Sequence, residues 1–474
     1  MQGSRASRRA ESRPRRAANP LRVVSSVGTA GAVLLVAAFF WLTSLGERTR
    51  PLAAAAQVQA PRQPVLSARR TPDVLSFVTR SSRLGAGLAS VRSGLPKGSC
   101  LRVDWLGSTI ASDSAGAPLV PGSTMKIVVG AAAIDVLGAE TVFTTKVMAT
   151  KNADGTFADL YLVGSGDPLI VRREYVATEK YQTLHPTSLE TLADSVVAAG
   201  VTALSGRVVG VDTILDAERF NADWPASFHG VEAGPLGALM ANDGAVVGLA
   251  IKPDDPALAA ASEFAAVLAA RGVGAPGGTA HDVLPAGATE VAAINSAPVT
   301  SIVQEMLVNS DNNTAEILLK QIGLKASGIG STKAGIDAIN KTLAEWGVAG
   351  QTVRDGSGLS SLNRLTCDGL VSLLDRFDAT LPPLLAVASE SGTLRDMFAD
   401  TPAEGRLVAK TGTLSGVKAL AGYMPVDGDG AVRFALVMNR PGIDNRSAYR
   451  PLWNRLAEGL SAARETPRPT DLAP

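Results

Sequence analysis

Three short strings, Pro121-Gly122-Ser123-Thr124-Met125-Lys126, Ser310-Asp311-Asn312 and Lys410-Thr411-Gly412-Thr413, have to be brought together by any fold of this chain. Each is common by chance. In this order they form the S-x-x-K, S-D-N and K-T-G set, which builds a serine acyl-transfer site without a catalytic histidine. The chain has only three histidines, His185, His229 and His281, and they are scattered. Ser310 lies 187 positions after Ser123, far more than an active-site connection requires. The catalytic domain therefore reads as split by a second one.

A serine hydroxyl needs a base within hydrogen-bond reach before it attacks an amide. Residues 123–137 follow a Pro-Gly turn and are apolar nearly all round, which predicts a helix buried at a domain centre. One helical turn stacks Lys126 over Ser123. An ammonium cannot act as a base, so Lys126 requires a lowered pKa, from burial beside other cations. Lys410 is either such a cation or a partner for a substrate carboxylate. Ser310 offers a hydroxyl to carry a proton to the leaving amine, and Asn312 an amide to hold Lys126 and the acyl chain. Thr411, Gly412 and Thr413 read as a strand edge along which a peptide substrate pairs. Asp355, Ser357 and Ser360 read as turn formers. No H-E-x-x-H or C-x-x-C pattern is present, so neither a metal nor another cofactor is expected.

The 474 residues suggest several domains. The division begins with a basic tail (1–22), an apolar segment (23–45) and a spacer (46–75). The N-terminal portion of the catalytic domain (76–145), an inserted α+β domain (146–290) and the C-terminal portion of the catalytic domain (291–465) follow, with a short tail (466–474) at the end. Within the C-terminal portion, 298–323 reads as one helical pattern carrying Ser310-Asp311-Asn312 in its middle or at a break. Residues 407–413 and 432–438 read as adjacent strands. In the insert, 203–212 looks like a strand at a sheet edge. The fold class is α+β. Cys100 and Cys367 are either one disulfide or two inert buried thiols.

Segment 23–45 carries no charge. At ~1.5 Å per residue it spans roughly 34 Å, enough for a bilayer core. Seven arginines precede it, which keeps the N-terminus inside and puts the rest outside. The segment reads as a single-pass membrane anchor, with secretion after cleavage as the alternative. Seven of the 45 basic residues but only one of the 44 acidic ones fall in the first 22 positions. The remainder is mildly acidic, which argues against a nucleic-acid partner.

With these motifs the chain resembles the D-alanyl-D-alanine carboxypeptidase/endopeptidase family of penicillin-binding proteins, the class with a large insert after the nucleophile. The likeness extends over roughly 75–465 and includes Gly164-Ser165-Gly166-Asp167-Pro168, Ala315-Glu316, Asp355-Gly356-Ser357-Gly358-Leu359-Ser360 with Asn363-Arg364, and Gly392-Thr393-Leu394. The resemblance implies a penicillin-binding/β-lactamase-like fold, an antiparallel sheet flanked by helices. It also implies a Ser123 acyl-enzyme formed on peptidoglycan stem peptides, an oxyanion hole from the Ser123 and Thr413 N–H groups, and acylation by β-lactams. The insert reads as shorter than in well-known relatives. A β-lactamase would need a Glu-x-x-Leu-Asn loop before K-T-G, and Trp346-Gly347-Val348-Ala349 follows Glu345 instead. A non-catalytic cell-wall scaffold is the remaining alternative.

Overall fold

A helix that is apolar on every side has to be surrounded. Ile127, Val128, Val129, Ala131, Ala132 and Ala133 are all completely buried, and the rest of the fold is arranged around them. The computed structural model describes residues 72–428 and 430–464. In chain order these form helix α1 (Pro72–Gly87), strands β1 (Ser99–Trp105) and β2 (Ser108–Asp113), and the central helix α2 (Met125–Leu137). Next come β3 (Thr144–Lys151), β4 (Phe157–Val163), α3 (Leu189–Ala198), β5 (Val208–Val211), α4 (Pro256–Ala269), β6 (Thr279–His281) and β7 (Thr289–Asn295). The remaining stretch contains α5 (Val299–Asn309), α6 (Asn312–Ser327), α7 (Thr332–Glu345), α8 (Cys367–Arg376), β8 (Ala386–Val387), β9 (Val408–Leu414), β10 (Val417–Pro425), β11 (Ala431–Asn439) and α9 (Arg446–Ser461).

The first sheet has the order β8-β9-β10-β11-β1-β2, and every pairing in it is antiparallel. Both its faces are covered. Along β10, Ala419, Ala421 and Tyr423 join the core that contains α2, α5, α6 and α8. Leu420 and Met424 point the other way, into the core shared with α1 and α9. This period of two, apolar on both faces, is the pattern of a strand with helices above and below.

Strand β10 has no counterpart among the strands expected from the sequence. It lies between the two read there as adjacent, β9 and β11. Its run of small and apolar residues lacks the alternation that marks a half-exposed strand. A second correction concerns 203–212, read as a sheet edge. Strand β5 is internal, flanked by β4 and β6. Only three residues make up β6, and none of them is buried, so it leaves no hydrophobic signature.

The second sheet, β6-β5-β4-β3-β7, is built from residues between Thr144 and Asn295. The first and last of these strands pair, Thr144 opposite Asn295. Phe143 and Ser296 close the junction, Phe143 N donating to Ser296 Oγ at 2.9 Å and Ser296 N to Phe143 O at 2.8 Å. The excursion therefore leaves and rejoins at one point, and the catalytic sheet is not stretched by it. Helices α3 and α4 contribute to the core that covers this sheet.

The helical pattern over 298–323 is two helices. Ser310 ends α5 with φ 65°, in the left-handed region. Asp311 caps α6, its carboxylate accepting from Thr314 N at 2.9 Å. Cys100 of β1 and Cys367 of α8 form a disulfide, which ties the sheet to a helix of its main core. The segment 23–45, the basic tail before it, most of the spacer and the short C-terminal tail lie outside the described residues. Among the described residues no helix is long and apolar enough to cross a membrane.

The disulfide gives a first test. A Cys100→Ala/Cys367→Ala protein is expected to lose about 2–5 kcal/mol of stability, read as a lower urea midpoint in equilibrium unfolding. An unchanged midpoint would mean that the bond is not formed in solution.

Candidate active site

Ser123 lies in a single 3-10 turn, Gly122–Thr124, that runs straight into α2. Lys126 follows in the first turn of that helix and is completely buried. Its Nζ lies 3.1 Å from Ser123 Oγ, 2.7 Å from Asn312 Oδ1 and 2.7 Å from the carbonyl oxygen of Ser357. The Asn312 amide is oriented by its other end, because Nδ2 donates to the Glu232 carbonyl at 2.7 Å. Two partners of Lys126 are thus oxygens that only accept. A neutral amine has two N–H bonds for them and one lone pair, which then faces the Ser123 hydroxyl. Burial lowers the Lys126 pKa to about 8, against the opposing pull of Asp355, Glu316, Asp311 and Glu232.

Lys410 is also completely buried. It donates to Ser310 Oγ at 2.8 Å and to the Thr411 carbonyl at 3.0 Å. Burial first, then the neighbouring Lys126 and Lys418, push its pKa well below the ordinary lysine value. The left-handed turn at Ser310 joins α5 to α6 and holds that hydroxyl beside Lys410. Thr411 Oγ1 donates to Thr393 Oγ1 at 3.0 Å, and Thr413 Oγ1 accepts from Lys418 at 2.8 Å.

The nucleophile turn is packed directly on strand β9. Gly122 has φ 54°, and a Cβ there would lie 2.9 Å from Thr413 N. Gly358 has φ 86°, and a Cβ there would come within 2.1 Å of the Gly122 carbonyl oxygen. Both positions require the absence of a side chain. The cleft that results has a volume of about 580 Å³, and Ser123, Ser310, Asn312, Thr411 and Thr413 are on its wall. Lys126 and Lys410 stand one layer behind, each bonded to a serine that faces the cleft.

Residues to which the sequence assigned no functional role complete the site. Asp355, read as a turn former, is a fully buried carboxylate. It accepts from Gly358 N, Ser360 N, Asn363 Nδ2 and Trp224 Nε1 at 2.6–2.9 Å. Glu316 accepts from Gly356 N at 3.0 Å and Ser357 N at 2.7 Å. Burial, then the nearby Asp355, raises the Glu316 pKa. Together these carboxylates fix the loop that turns the Ser357 carbonyl onto Lys126. Phe228 and Glu232 also line the cleft, on a connection between β5 and α4 that no sequence pattern distinguished. The run at 355–363 was the available signal, with an aspartate, three serines and an asparagine in nine residues.

The family model of the D-Ala-D-Ala carboxypeptidase 3 (S13) family matches residues 105–253 and 236–457 of the chain. A D-alanyl-D-alanine carboxypeptidase of Actinomadura sp. (strain R39) is 31% identical over 421 residues, which cover 70% of this chain and 76% of that protein. Penicillin-binding protein 4 of Haemophilus influenzae has the same fold, with TM-score 0.64 at 18% identity, covering 79% of this chain and 98% of that one. A second structure of that protein, in complex with a β-lactam, gives TM-score 0.57 at 20% identity, covering 78% and 99%. The α+β, penicillin-binding/β-lactamase-like fold is therefore the fold of this chain.

The network around Ser357 predicts a contrast between two neighbours. Asp355→Asn would turn an amide group toward backbone donors and is expected to cost about 3 kcal/mol or more, since it leaves buried donors unpaired. Arg354→Ala, which removes a surface pair with Asp223, is expected to cost less than about 1 kcal/mol. Denaturant unfolding of both variants checks this, and equal losses would refute the assigned role of Asp355.

Proposed function

The chain belongs to the D-Ala-D-Ala carboxypeptidase 3 (S13) family, and from that premise we propose how its site works. It is a serine D-Ala-D-Ala carboxypeptidase of the penicillin-binding type, acting on peptidoglycan. Ser123 is the nucleophile and Lys126 its base. The observation that carries this reading is the set of partners around Lys126 Nζ, two fixed acceptors and the Ser123 hydroxyl. At pH 7.5 an amine of pKa about 8 is about one quarter neutral. An ordinary lysine, near 10.4, would be neutral in only about one molecule in a thousand.

In the acylation step Ser123 Oγ bonds to the penultimate D-Ala carbonyl carbon and its proton passes to Lys126. The oxyanion is held by the N–H groups of Ser123 and Thr413, a role supported by the close packing of Gly122 against Thr413 N. The C–N bond then breaks. Ser310, held by Lys410, carries the proton to the leaving amine, and D-alanine departs. Water attacks the ester in the second step and returns the serine. With a β-lactam the same attack opens the ring, but the amine stays tethered in the cleft. No Glu-x-x-Leu-Asn loop is present to speed deacylation, so the penicilloyl ester is long-lived. The same cleft would take a cross-link in place of a terminal D-alanine, giving endopeptidase activity.

Segment 23–45 is proposed to be a membrane anchor holding the catalytic unit outside the cytoplasm, on the strength of its uncharged length and arginine-rich flank. Full-length protein is expected in the membrane fraction, and a chain starting near residue 60 in the soluble one. A cleaved, soluble product from the full-length gene would mean export instead.

Intact mass after incubation with benzylpenicillin tests the chemistry. The wild type is expected to gain one penicilloyl unit and Ser123→Ala none. Rapid penicillin loss without an adduct would make the protein a β-lactamase, and no reaction at all would leave a scaffold. Followed across pH, the acylation rate should rise about tenfold per unit below pH 8 and level off above it. The base must be neutral, and a lysine of pKa about 8 loses its proton over that range. A rate still climbing at pH 10 would exclude Lys126 as the base.

A further inference from the structure

Lys418 is a buried cation for which the acyl-transfer steps have no use. It lies on β10 directly opposite Thr413 of β9, and opposed residues of an antiparallel pair project to the same face. The residue is 7% exposed. Its ammonium stands 4.1 Å from the ring centroid of Tyr449 and 5.0 Å from that of Trp453, an aromatic seat that favours a cation. Among the described residues no carboxylate forms an ion pair with it. Asp444, on the cleft wall, acts on it from farther off, and burial lowers its pKa to about 8. Its hydrogen bond goes to Thr413 Oγ1, at 2.8 Å.

That bond fixes what Thr413 can do. A hydroxyl has one proton and two lone pairs. Lys418 occupies a lone pair, so the Thr413 proton must be directed elsewhere, and the cleft that Thr413 lines is open to it. The cleft is thereby offered a donor backed by a positive charge. A carboxylate, which only accepts, is satisfied there. A carboxamide gains less, because half its polar atoms are donors and it carries no charge.

We propose that Lys418 is a specificity-determining residue that, acting through Thr413, makes the K-T-G end of the cleft select substrates with a free C-terminal carboxylate. This rests on the carboxypeptidase reading. The test uses purified full-length protein, a blocked tripeptide ending in D-Ala-D-Ala, and the same peptide as its C-terminal amide, with cleavage followed by mass spectrometry. Wild type should cut the free acid with the higher kcat/KM. In Lys418→Met that preference should fall about tenfold, the scale of one charge-assisted hydrogen bond, mostly through the free acid. Lys418→Arg, which keeps the charge, should retain it.

Lys418→Gln serves as a second neutral variant, with thermal midpoints recorded for all three. An equal loss on acid and amide, or a preference unchanged in both neutral variants, would overturn the proposal. So would a loss in Lys418→Arg as large as in Lys418→Met, because that marks a packing role. A wild type that cuts neither peptide would overturn the carboxypeptidase reading itself, and this inference with it.

Discussion

An amine that cannot reach water is the constraint on which this structure turns. Lys126 is fully buried, and burying an unpaired amine is costly unless every polar partner is supplied by the protein. Its partners come from three places in the chain: Ser123 in the preceding turn, Asn312 at the start of α6, and Ser357 in the loop before α8. The three can meet only if α2 sits at the centre of the domain. That is why α2 is apolar on every side, and why a sheet with two covered faces lies against it. The general cost of a buried lysine has a chemical consequence here: the depressed pKa leaves a share of the amine neutral near pH 7.5, which the base role proposed for it requires.

The charges around the site form one balanced system. Burial lowers the pKa of Lys126, Lys410 and Lys418, and that of Lys410 is lowered further by the other two, while Glu316 and Asp311 are raised by burial and by like charges beside them. Asp355 has four strong donors around it. Donors in that number replace the water that a buried carboxylate gives up. It therefore works in two ways at once, locking the loop that aims the Ser357 carbonyl and limiting how far the Lys126 pKa can fall. Three lysines touch cleft-lining hydroxyls from behind the wall, Lys126 on Ser123, Lys410 on Ser310 and Lys418 on Thr413. Substrate would meet those hydroxyls, not the lysines themselves.

Much of this was legible in the sequence. The order of the three motifs, the Pro-Gly turn before Ser123, the all-apolar run after it and the long gap before Ser310 each have a direct physical meaning, and together they anticipate the Ser123–Lys126 contact and a second sheet between the strands of the first. What stayed hidden had weaker local signals. Strand β10 is Val-Lys-Ala-Leu-Ala-Gly-Tyr-Met-Pro and is covered on both sides, so no polar alternation marks it. Strand β6 is too short to have a pattern. The role of Asp355 is written only in three dimensions: in one dimension Asp-Gly-Ser-Gly is a turn, and nothing there reveals that Trp224 and Glu316 converge on it. Lys418 is a lone lysine in an apolar strand, and its meaning depends on Thr413 across the ladder and on two aromatic rings of α9.

The inserted sheet also takes part in the site. The connection after β5 sends Trp224 Nε1 to Asp355 and the Glu232 carbonyl to Asn312, and Gly234 N donates to Asn313 Oδ1 at 2.6 Å. Two of these contacts are one bond removed from Lys126, through Asn312 and through the loop that holds Ser357. The insertion therefore supports both acceptors of Lys126, besides lining the cleft with Phe228 and Glu232. Its strands leave and return at the single junction of Phe143 and Ser296, so its position on the catalytic sheet and helices is set there and at the loop contacts. Altering the 224–234 connection would disturb the surroundings of Lys126 through Asn312 and the Ser357 loop. Within the insert, the connection after β5 is the part that lines the cleft, and β6 bears on it through His281, which bonds Asp212 at 2.8 Å and Asp255 at 2.9 Å.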